Sequence, residues 1–240
     1  MSINRTILVT GASSGIGRTV TLNLLAQGHT VIGISRRTLI LAEPSERFIP
    51  ISLDLSALTV LPDQLRDIQK RYPDIDAILF CAGAGQFGSI EEFSYAQIEA
   101  IMTLNFTSPV FLTKALLPHL KRKAHSDLIY IGSEAALKGS RKGSVYCASK
   151  FALRGFTQAL REECGTSNVR VSLINPGMVN TPFFDTLNFE PGEHETNSIS
   201  AEAVAEAVSY VLNSPSNMVI DEINLSPLNK VVKFKSNRIK

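Results

Sequence analysis

"TILVTGASSGIG", Thr6 to Gly17, sets the reading of the whole chain. A short apolar, β-branched run ends at glycine. A helical spacing follows, with Ile16, Val20 and Leu24 at i, i+4 and i+8 and Gly28 as a stop. Three glycines, Gly11, Gly15 and Gly17, lie in the strand-to-helix turn. Glycine lets a backbone turn tightly and approach a phosphate closely. The helix N-terminus adds unpaired N–H groups and the positive end of the helix dipole. The spacing is G-x-x-x-G-x-G rather than the commoner G-x-G-x-x-G. With a strand before it and a helix after it, it predicts a dinucleotide site more readily than a bare glycine turn.

The strand–helix alternation continues. "TVIGIS" (30–35), "FIPISL" (48–53), "IDAILF" (75–80), "DLIYIGS" (127–133), "VRVSLINPG" (169–177) and "MVIDEINL" (218–225) read as further strands. Between them, Pro62 opens a helix that buries Leu65 and Ile68. Ser94 with Gln97 forms a capping-box pattern at the head of a helix running to about residue 123. Further helices are predicted at 144–164 and around Val204, Val208 and Leu212. Near-continuous apolar strands separated by helices predict an α/β fold: a doubly wound, Rossmann-like, parallel seven-stranded sheet with helices on both faces. Ligands of such sheets sit beyond the carboxyl ends of the strands.

The second strand ends in Ser35-Arg36-Arg37. An NAD site usually places an acid near this point for the ribose 2′-hydroxyl. Arginine instead suits a 2′-phosphate, through charge-assisted hydrogen bonds, so the cofactor expected is NADP(H). Arg37 either shares this role or points to solvent.

In "GSVYCASKFALRG", Gly143 to Gly155, Tyr146 and Lys150 are four residues apart on one helix face. Alone, such a pair is worth about 0.2–0.5 kcal/mol as a surface contact. Coupled to the glycine turn, the arginines and Ser133, it reads as an acid–base pair. A free tyrosine has a pKa of about 10, and a neighbouring ammonium favours the phenolate and lowers that value. Asn105 carries a separate argument, because Pro109 lies four residues on and has no N–H. Either the helix continues and the Asn105 carbonyl is left without its partner, or Pro109 starts a new helix.

"TGASSGIG" (10–17), "CAGAG" (81–85), Asn105, Ser133, "YCASK" (146–150) and "NPGMVNT" (175–181) stand in the order and spacing of the short-chain dehydrogenase/reductase family, which the chain resembles from Ile7 to about Leu225. The ending "SPSNMVIDEINLSP" looks like members of the sepiapterin-reductase and 3-hydroxy-acid dehydrogenase kind. The resemblance implies carbonyl–alcohol redox chemistry. Tyr146 would be the proton donor or acceptor. Lys150 would hold the nicotinamide ribose and lower the tyrosine pKa. Ser133 would bond the substrate oxygen, and Asn105 would anchor a proton-relay water. The cofactor contacts implied are Gly11, Ser13, Ser14, Gly15, Ile16, Gly17, Ser35, Arg36 and Arg37, then Asp54 at the adenine pocket with Leu55. Cys81, Ala82 and Gly83 follow, with Tyr146 and Lys150, then Pro176, Gly177 and Val179, and Thr181 at the carboxamide. One departure stands out: the family usually has Asn-Asn-Ala-Gly where this chain has Phe80-Cys81-Ala82-Gly83, and cysteine cannot make the ties of that asparagine.

The 240 residues, 44% hydrophobic and 19% charged, suit one domain, assigned to 1–229, with a basic tail at 230–240. Net charge is +2, but Lys230, Lys233, Lys235, Arg238 and Lys240 hold five of the 24 basic residues, leaving 19 against 22 acids in the body. This is too little positive charge to call for a nucleic-acid partner. Three cysteines and four histidines show no metal spacing, so no metal is expected. The histidines read as surface residues, and the odd cysteine count fits a cytoplasmic setting. The apolar run at the N-terminus is too short for a span, and no membrane partner is expected. Family members commonly pair the 94–123 and 144–164 helices between subunits, which implies a homodimer or homotetramer. The partner expected at the site is a small carbonyl or alcohol. Phe183 to Ser200 reads as an irregular lid over it, and Gln86, Glu134, Ala135, Phe183 and Phe184 are candidate pocket residues. The readings set beside a reductase are an NAD-dependent alcohol dehydrogenase and a non-catalytic dinucleotide-binding regulator.

Overall fold

A computed structural model of the protein describes residues 4–41 and 43–235. The sheet has seven strands. β1 (Thr6–Thr10), β2 (Thr30–Ser35), β3 (Phe48–Ser52), β4 (Ile75–Phe80), β5 (Ser126–Ile131), β6 (Val169–Pro176) and β8 (Glu222–Leu225) run in the order β3-β2-β1-β4-β5-β6-β8. Every pairing is parallel. The expected doubly wound architecture is the observed one. Its order reverses between β1 and β4, so a crevice opens there at the carboxyl ends of the strands.

Successive residues on a strand face opposite sides of a sheet, and the core divides accordingly. Leu8, Ile78, Phe80, Leu128 and Tyr130 belong to one buried cluster, whose helices are α2 (Leu61–Arg71), α4 (Ser108–Leu120) and α5 (Ser144–Glu163). Ile7, Val9, Ala77, Leu79 and Ile129 belong to the other, covered by α1 (Gly15–Ala26) and α6 (Ala201–Asn213).

The helix expected at 94–123 is α3 (Tyr95–Met102) running into α4 through one π-helical turn, Thr103–Thr107. Pro109 therefore does not start a separate helix. The chain stays helical and absorbs the missing N–H by widening its turn. Tyr95–Leu120 is long and apolar enough to cross a membrane, with a mean hydropathy of 1.3. Here, however, Leu112, Leu116 and Leu120 lie buried in the core.

Three expectations need correction. His29 is not a surface residue: it is 2% exposed, and its Nδ1 accepts the Arg5 N–H at 3.2 Å. The segment 183–200 is less irregular than its composition implied. It holds a 3-10 turn at Pro182–Phe184, a short strand β7 (Phe189–Pro191) and a second 3-10 turn at Glu195–Asn197. Finally, the segment expected as a tail from residue 230 folds back on the body. Strand β9 (Val232–Phe234) pairs antiparallel with β7; residues 236–240 lie outside the described residues.

Under the amino ends of the strands lies a charged cluster. Asp127 is fully buried and accepts from Arg5 at 2.5 Å, from Arg170 at 2.7 Å and from His125 at 3.3 Å. Arg170 spends its other N–H groups on the Val211, Leu212 and Ser214 carbonyls at the end of α6. Burial pushes the Asp127 carboxyl up. The hydrogen bonds from His125 and Arg170 and the charges of Arg5 and Arg170 outweigh it, holding Asp127 below the usual carboxylate range.

Candidate active site

The glycine turn faces the end of β4. Gly11 and Gly15 take φ of +69° and +52°, a region open to glycine and strained for other residues. A Cβ on Gly17 would collide with the Gly11 carbonyl, and one on Gly11 would stand 3.0 Å from the Ala82 backbone. The turn thus lies backbone to backbone against 81–83. Thr10 Oγ1 joins the two, accepting from Cys81 N at 3.0 Å and from Ala82 N at 3.1 Å. That hydroxyl fixes the segment from below, a role the sequence did not reveal. Cys81 packs its Cβ toward Gly17, and burial pushes its thiol well up.

Asn105, on the π turn, is 1% exposed. Its amide accepts from Ala84 N and donates to Ala84 O, both at 2.9 Å, and donates to Ser149 Oγ at 3.1 Å. The side chain ties the loop after β4 to α5. Lys150 lies next to it: a Cβ on Gly83 would see Asn105 Oδ1 at 3.3 Å and Lys150 Nζ at 3.8 Å.

Tyr146 and Lys150 share the buried face of α5, 7% and 6% exposed. Lys150 Nζ donates to the Ile131 carbonyl at 3.1 Å, and burial brings its pKa down to about 8. Burial pushes Tyr146 up to about 12, opposed by its hydrogen bond with Ser133 and reinforced by Cys147 and Glu134. The expectation that Lys150 lowers the tyrosine pKa is not met in the protein alone. The ammonium stands 5.9 Å from the ring centre, and desolvation of the phenol prevails. Ser133 caps the 3-10 turn Glu134–Ala136, accepting from Ala135 N at 3.1 Å. It is held in turn by Asn175, whose Oδ1 accepts the Ser133 N–H at 3.2 Å and whose amide donates to Glu222 and Asn224 at 3.0 Å. Asn175 is a positioning residue that only its place in "NPG" could have flagged.

The remaining candidates fall around this centre. Ser35 is buried and donates to the Arg37 carbonyl at 2.6 Å, while Arg36 and Arg37 stand exposed beyond β2. Asp54 is exposed and accepts the Ser56 N–H at 2.9 Å, with Leu55 buried beside it. Thr181 lies 3.5 Å from where a Gly15 Cβ would be, and Val179 bridges to Ile199. A cavity of about 320 Å³ opens between Ser13, Ser14 and Gly15 on one side and Asn180 and Thr181 on the other, with Arg18 on its wall. The residues present fit a dinucleotide: a glycine cradle at a helix N-terminus, two exposed arginines at the end of β2, and a lysine at the far end. Among the described residues no cluster of acids, histidines and cysteines is placed to hold a metal ion.

Aromatic rings close the site over Tyr146. Phe87 lies 5.1 Å and Phe183 6.0 Å from its ring, and Phe189 meets Phe87 edge-on at 4.9 Å. Of the pocket candidates, Phe183 and Phe184 join this wall, and Gln86 lines a cavity of about 480 Å³ with Gly85, Phe87 and Leu187. Glu134 faces out to Lys230, 2.6 Å away. Ala135 contributes its N–H to Ser133. Phe189, read from the sequence as part of an apolar lining with Phe183, Phe184 and Leu187, joins this wall; Phe87 was not singled out from the sequence.

The family model described as short chain dehydrogenase matches residues 5–191. The chain belongs to the short-chain dehydrogenase family. Relatives match over nearly the full length. One is a sepiapterin reductase of Chlorobaculum tepidum, 28% identical over 92% of this chain and 95% of its own. Another is an NADP-dependent 3-hydroxy acid dehydrogenase of Schizosaccharomyces pombe, 28% identical over 93% and 92%. The crystal structure of serine dehydrogenase from Escherichia coli superposes with a TM-score of 0.80 at 27% identity, covering 92% of this chain and 96% of that one. Structures of this fold hold NADP in some cases and NADH in others. The protein is an oxidoreductase of this family, with a single-domain Rossmann-like fold.

Proposed function

We propose that this short-chain dehydrogenase interconverts a carbonyl and an alcohol with NADP(H), acting as a ketone or aldehyde reductase. The observation that carries the reading is the meeting of Tyr146, Lys150, Ser133 and Asn105 beside the glycine turn, at the carboxyl ends of β4 and β5. Gly11 to Gly17 would take the pyrophosphate, Arg36 and Arg37 the 2′-phosphate, Asp54 and Leu55 the adenine side. Ala82, Gly83 and the stretch Pro176, Gly177, Val179 and Thr181 would flank the nicotinamide end. Bound there, NADP(H) supplies the hydride.

The chain's own residues supply the proton and the positioning. Tyr146 is buried and protonated at neutral pH, as an acid that gives its proton to a carbonyl oxygen must be. Ser133 presents a hydroxyl to the same oxygen, its backbone fixed by Asn175. Lys150 is charged below about pH 8, and its ammonium favours the phenolate once the proton has left. Asn105 keeps Lys150 and α5 in register with the loop after β4. The aromatic wall excludes water from the phenol.

The relatives include a sepiapterin reductase and a 3-hydroxy acid dehydrogenase, so pterins and 3-oxo acids belong in the search. The decisive experiment follows NADPH oxidation against ketones, aldehydes, 3-oxo acids, pterins and quinones. Cofactor binding without turnover of any of them would refute the reductase reading and support a non-catalytic dinucleotide-binding protein. Tyr95 and Phe151 stand exposed on the long helices, which supports a homodimer or homotetramer. The three free cysteines agree with a cytoplasmic setting.

A further inference from the structure

The reaction reading leaves unused the segment that crosses the substrate loop from the other end of the chain. Asn229 N donates to the Thr196 carbonyl at 3.0 Å, Gly192 N to Val231 at 2.9 Å, and Lys235 N to Asn188 at 2.9 Å. Between these, β9 pairs with β7, Phe189 opposite Phe234 and Pro191 opposite Val232. Side chains add three anchors. Lys235 Nζ bonds the Phe184 carbonyl at 2.6 Å, at the C-terminal end of a 3-10 turn where a cation is favoured. Lys233 pairs with Glu193, and Lys230 with Glu134.

What the segment holds is the wall of the site. Phe189, on β7, packs on Phe87 and on Phe184 at 5.8 Å, and Phe87 packs on Tyr146. Phe183 meets Phe184 at 5.3 Å and reaches Tyr146, and a Cβ on Gly85 would fall against its ring. Two chains of contact thus run from the C-terminal segment to the reactive phenol, one through Phe189 and Phe87, the other through Lys235, Phe184 and Phe183.

We propose that residues 229–235 are a strap that positions Phe183, Phe184 and Phe189 as the apolar wall of the substrate chamber, so that the strap sets affinity for the uncharged part of a carbonyl substrate. The proposal rests on the reading of Tyr146 as the reacting centre. A three-residue strand such as β7 does not stay ordered alone, and β7 lies outside the main sheet, with β9 as its partner. Strap and β7 also lie outside both core clusters, so releasing the strap frees the wall without opening the sheet.

The test uses two full-length variants. Lys235→Ala removes the anchor on Phe184, and Lys233→Pro removes a ladder N–H from the middle of β9. Chymotrypsin cleavage at Phe183, Phe184 and Phe189, read by mass spectrometry, reports the wall directly. Cleavage is expected to rise roughly tenfold as local opening becomes easier, and NADPH Kd to stay within about twofold. KM for an apolar ketone should rise roughly tenfold with kcat changed less, as loss of uniform binding requires. Cleavage within about twofold of wild type in both variants overturns the proposal, as does faster cleavage with unchanged KM, or an NADPH Kd that rises in step with KM. If no carbonyl is turned over by any form, the reductase reading fails while the cleavage result still decides the strap.

Discussion

Lys150 points its ammonium past the face of Tyr146, 5.9 Å from the ring centre, and donates it to the Ile131 carbonyl at 3.1 Å. The pair is therefore not a direct ion pair, and burial keeps the phenol protonated. Tyr146→Phe retains the ring that packs on Phe87 and Phe183 and loses only the exchangeable proton. It should lower kcat roughly 10²–10⁴-fold and leave NADPH affinity within about twofold of wild type. Near-normal turnover would mean that the proton comes from another group.

Because burial brings the Lys150 pKa down from 10.5 to about 8, its charged form is lost as pH rises through that value. NADPH affinity, followed by fluorescence titration, should weaken above about pH 8. Lys150→Met should bind weakly throughout and flatten the profile. An unchanged wild-type profile from pH 6 to 10, roughly the span over which a shifted lysine titrates, would remove Lys150 from the cofactor site.

Thr10 holds the Cys81 and Ala82 N–H groups through its hydroxyl. Thr10→Val leaves both donors unpaired in a part-buried place, at a cost of about 1–3 kcal/mol, and should also weaken NADPH binding by loosening the 81–83 edge. Cys81→Ser, at a side chain for which packing is the only role found, should cost less than Thr10→Val. Urea denaturation of the two variants gives the ranking, and a larger loss for Cys81→Ser would reverse the argument.

The legible and illegible parts of this chain separate by sequence distance. The seven main strands are apolar runs of four to eight residues, and Tyr146 and Lys150 announce themselves by i, i+4 spacing. The π turn at 103–107 was foreshadowed by Pro109, but proline alone does not say whether a helix breaks or widens. Strand β9 has no readable period over three residues, and its partner lies about forty residues upstream, with Phe189 opposite Phe234. Three of the basic side chains that made this end of the chain read as a tail pin its described part, 230–235, since Lys230, Lys233 and Lys235 each meet an oxygen on the body. The apolar residues of the 183–200 loop, Phe189 among them, were legible as a lining, but Phe87 was not: it lies about a hundred residues upstream, and only the fold brings it between Phe189 and Tyr146.

Asp127 gathers Arg5, Arg170 and His125 beneath the sheet. Its folded pKa is depressed, so its contribution to stability is fully present above its unfolded pKa, about 3.9, and is lost as pH falls through the lower folded value. Asp127→Asn leaves two arginines short of their counter-charge and should cost about 3–5 kcal/mol at neutral pH. The variant should also lose less stability than wild type on acidification below about pH 4. Parallel acid-induced slopes for the two proteins would show that other carboxylates carry the effect.

The cofactor preference is the sharpest test of the end of β2. Ser35 is buried with its hydroxyl committed to the Arg37 carbonyl, so no negative charge stands where a 2′-phosphate would lie. Arg36 and Arg37 are exposed, and the Arg36 carbonyl is pinned by Ser52 Oγ at 3.2 Å, which holds the backbone beneath an exposed side chain. One charge-assisted contact contributes about 1.5–3 kcal/mol, a preference for NADPH over NADH of roughly tenfold to hundredfold. Arg36→Ile should remove most of it, and Ser35→Asp with Arg36→Ile should turn it toward NADH by placing a carboxylate at the ribose. The measurement is kcat/KM for both cofactors on one substrate. A wild-type enzyme that prefers NADH would overturn the assignment of Arg36 and leave the roles of Tyr146 and Lys150 untouched, because those act at the other end of the cofactor.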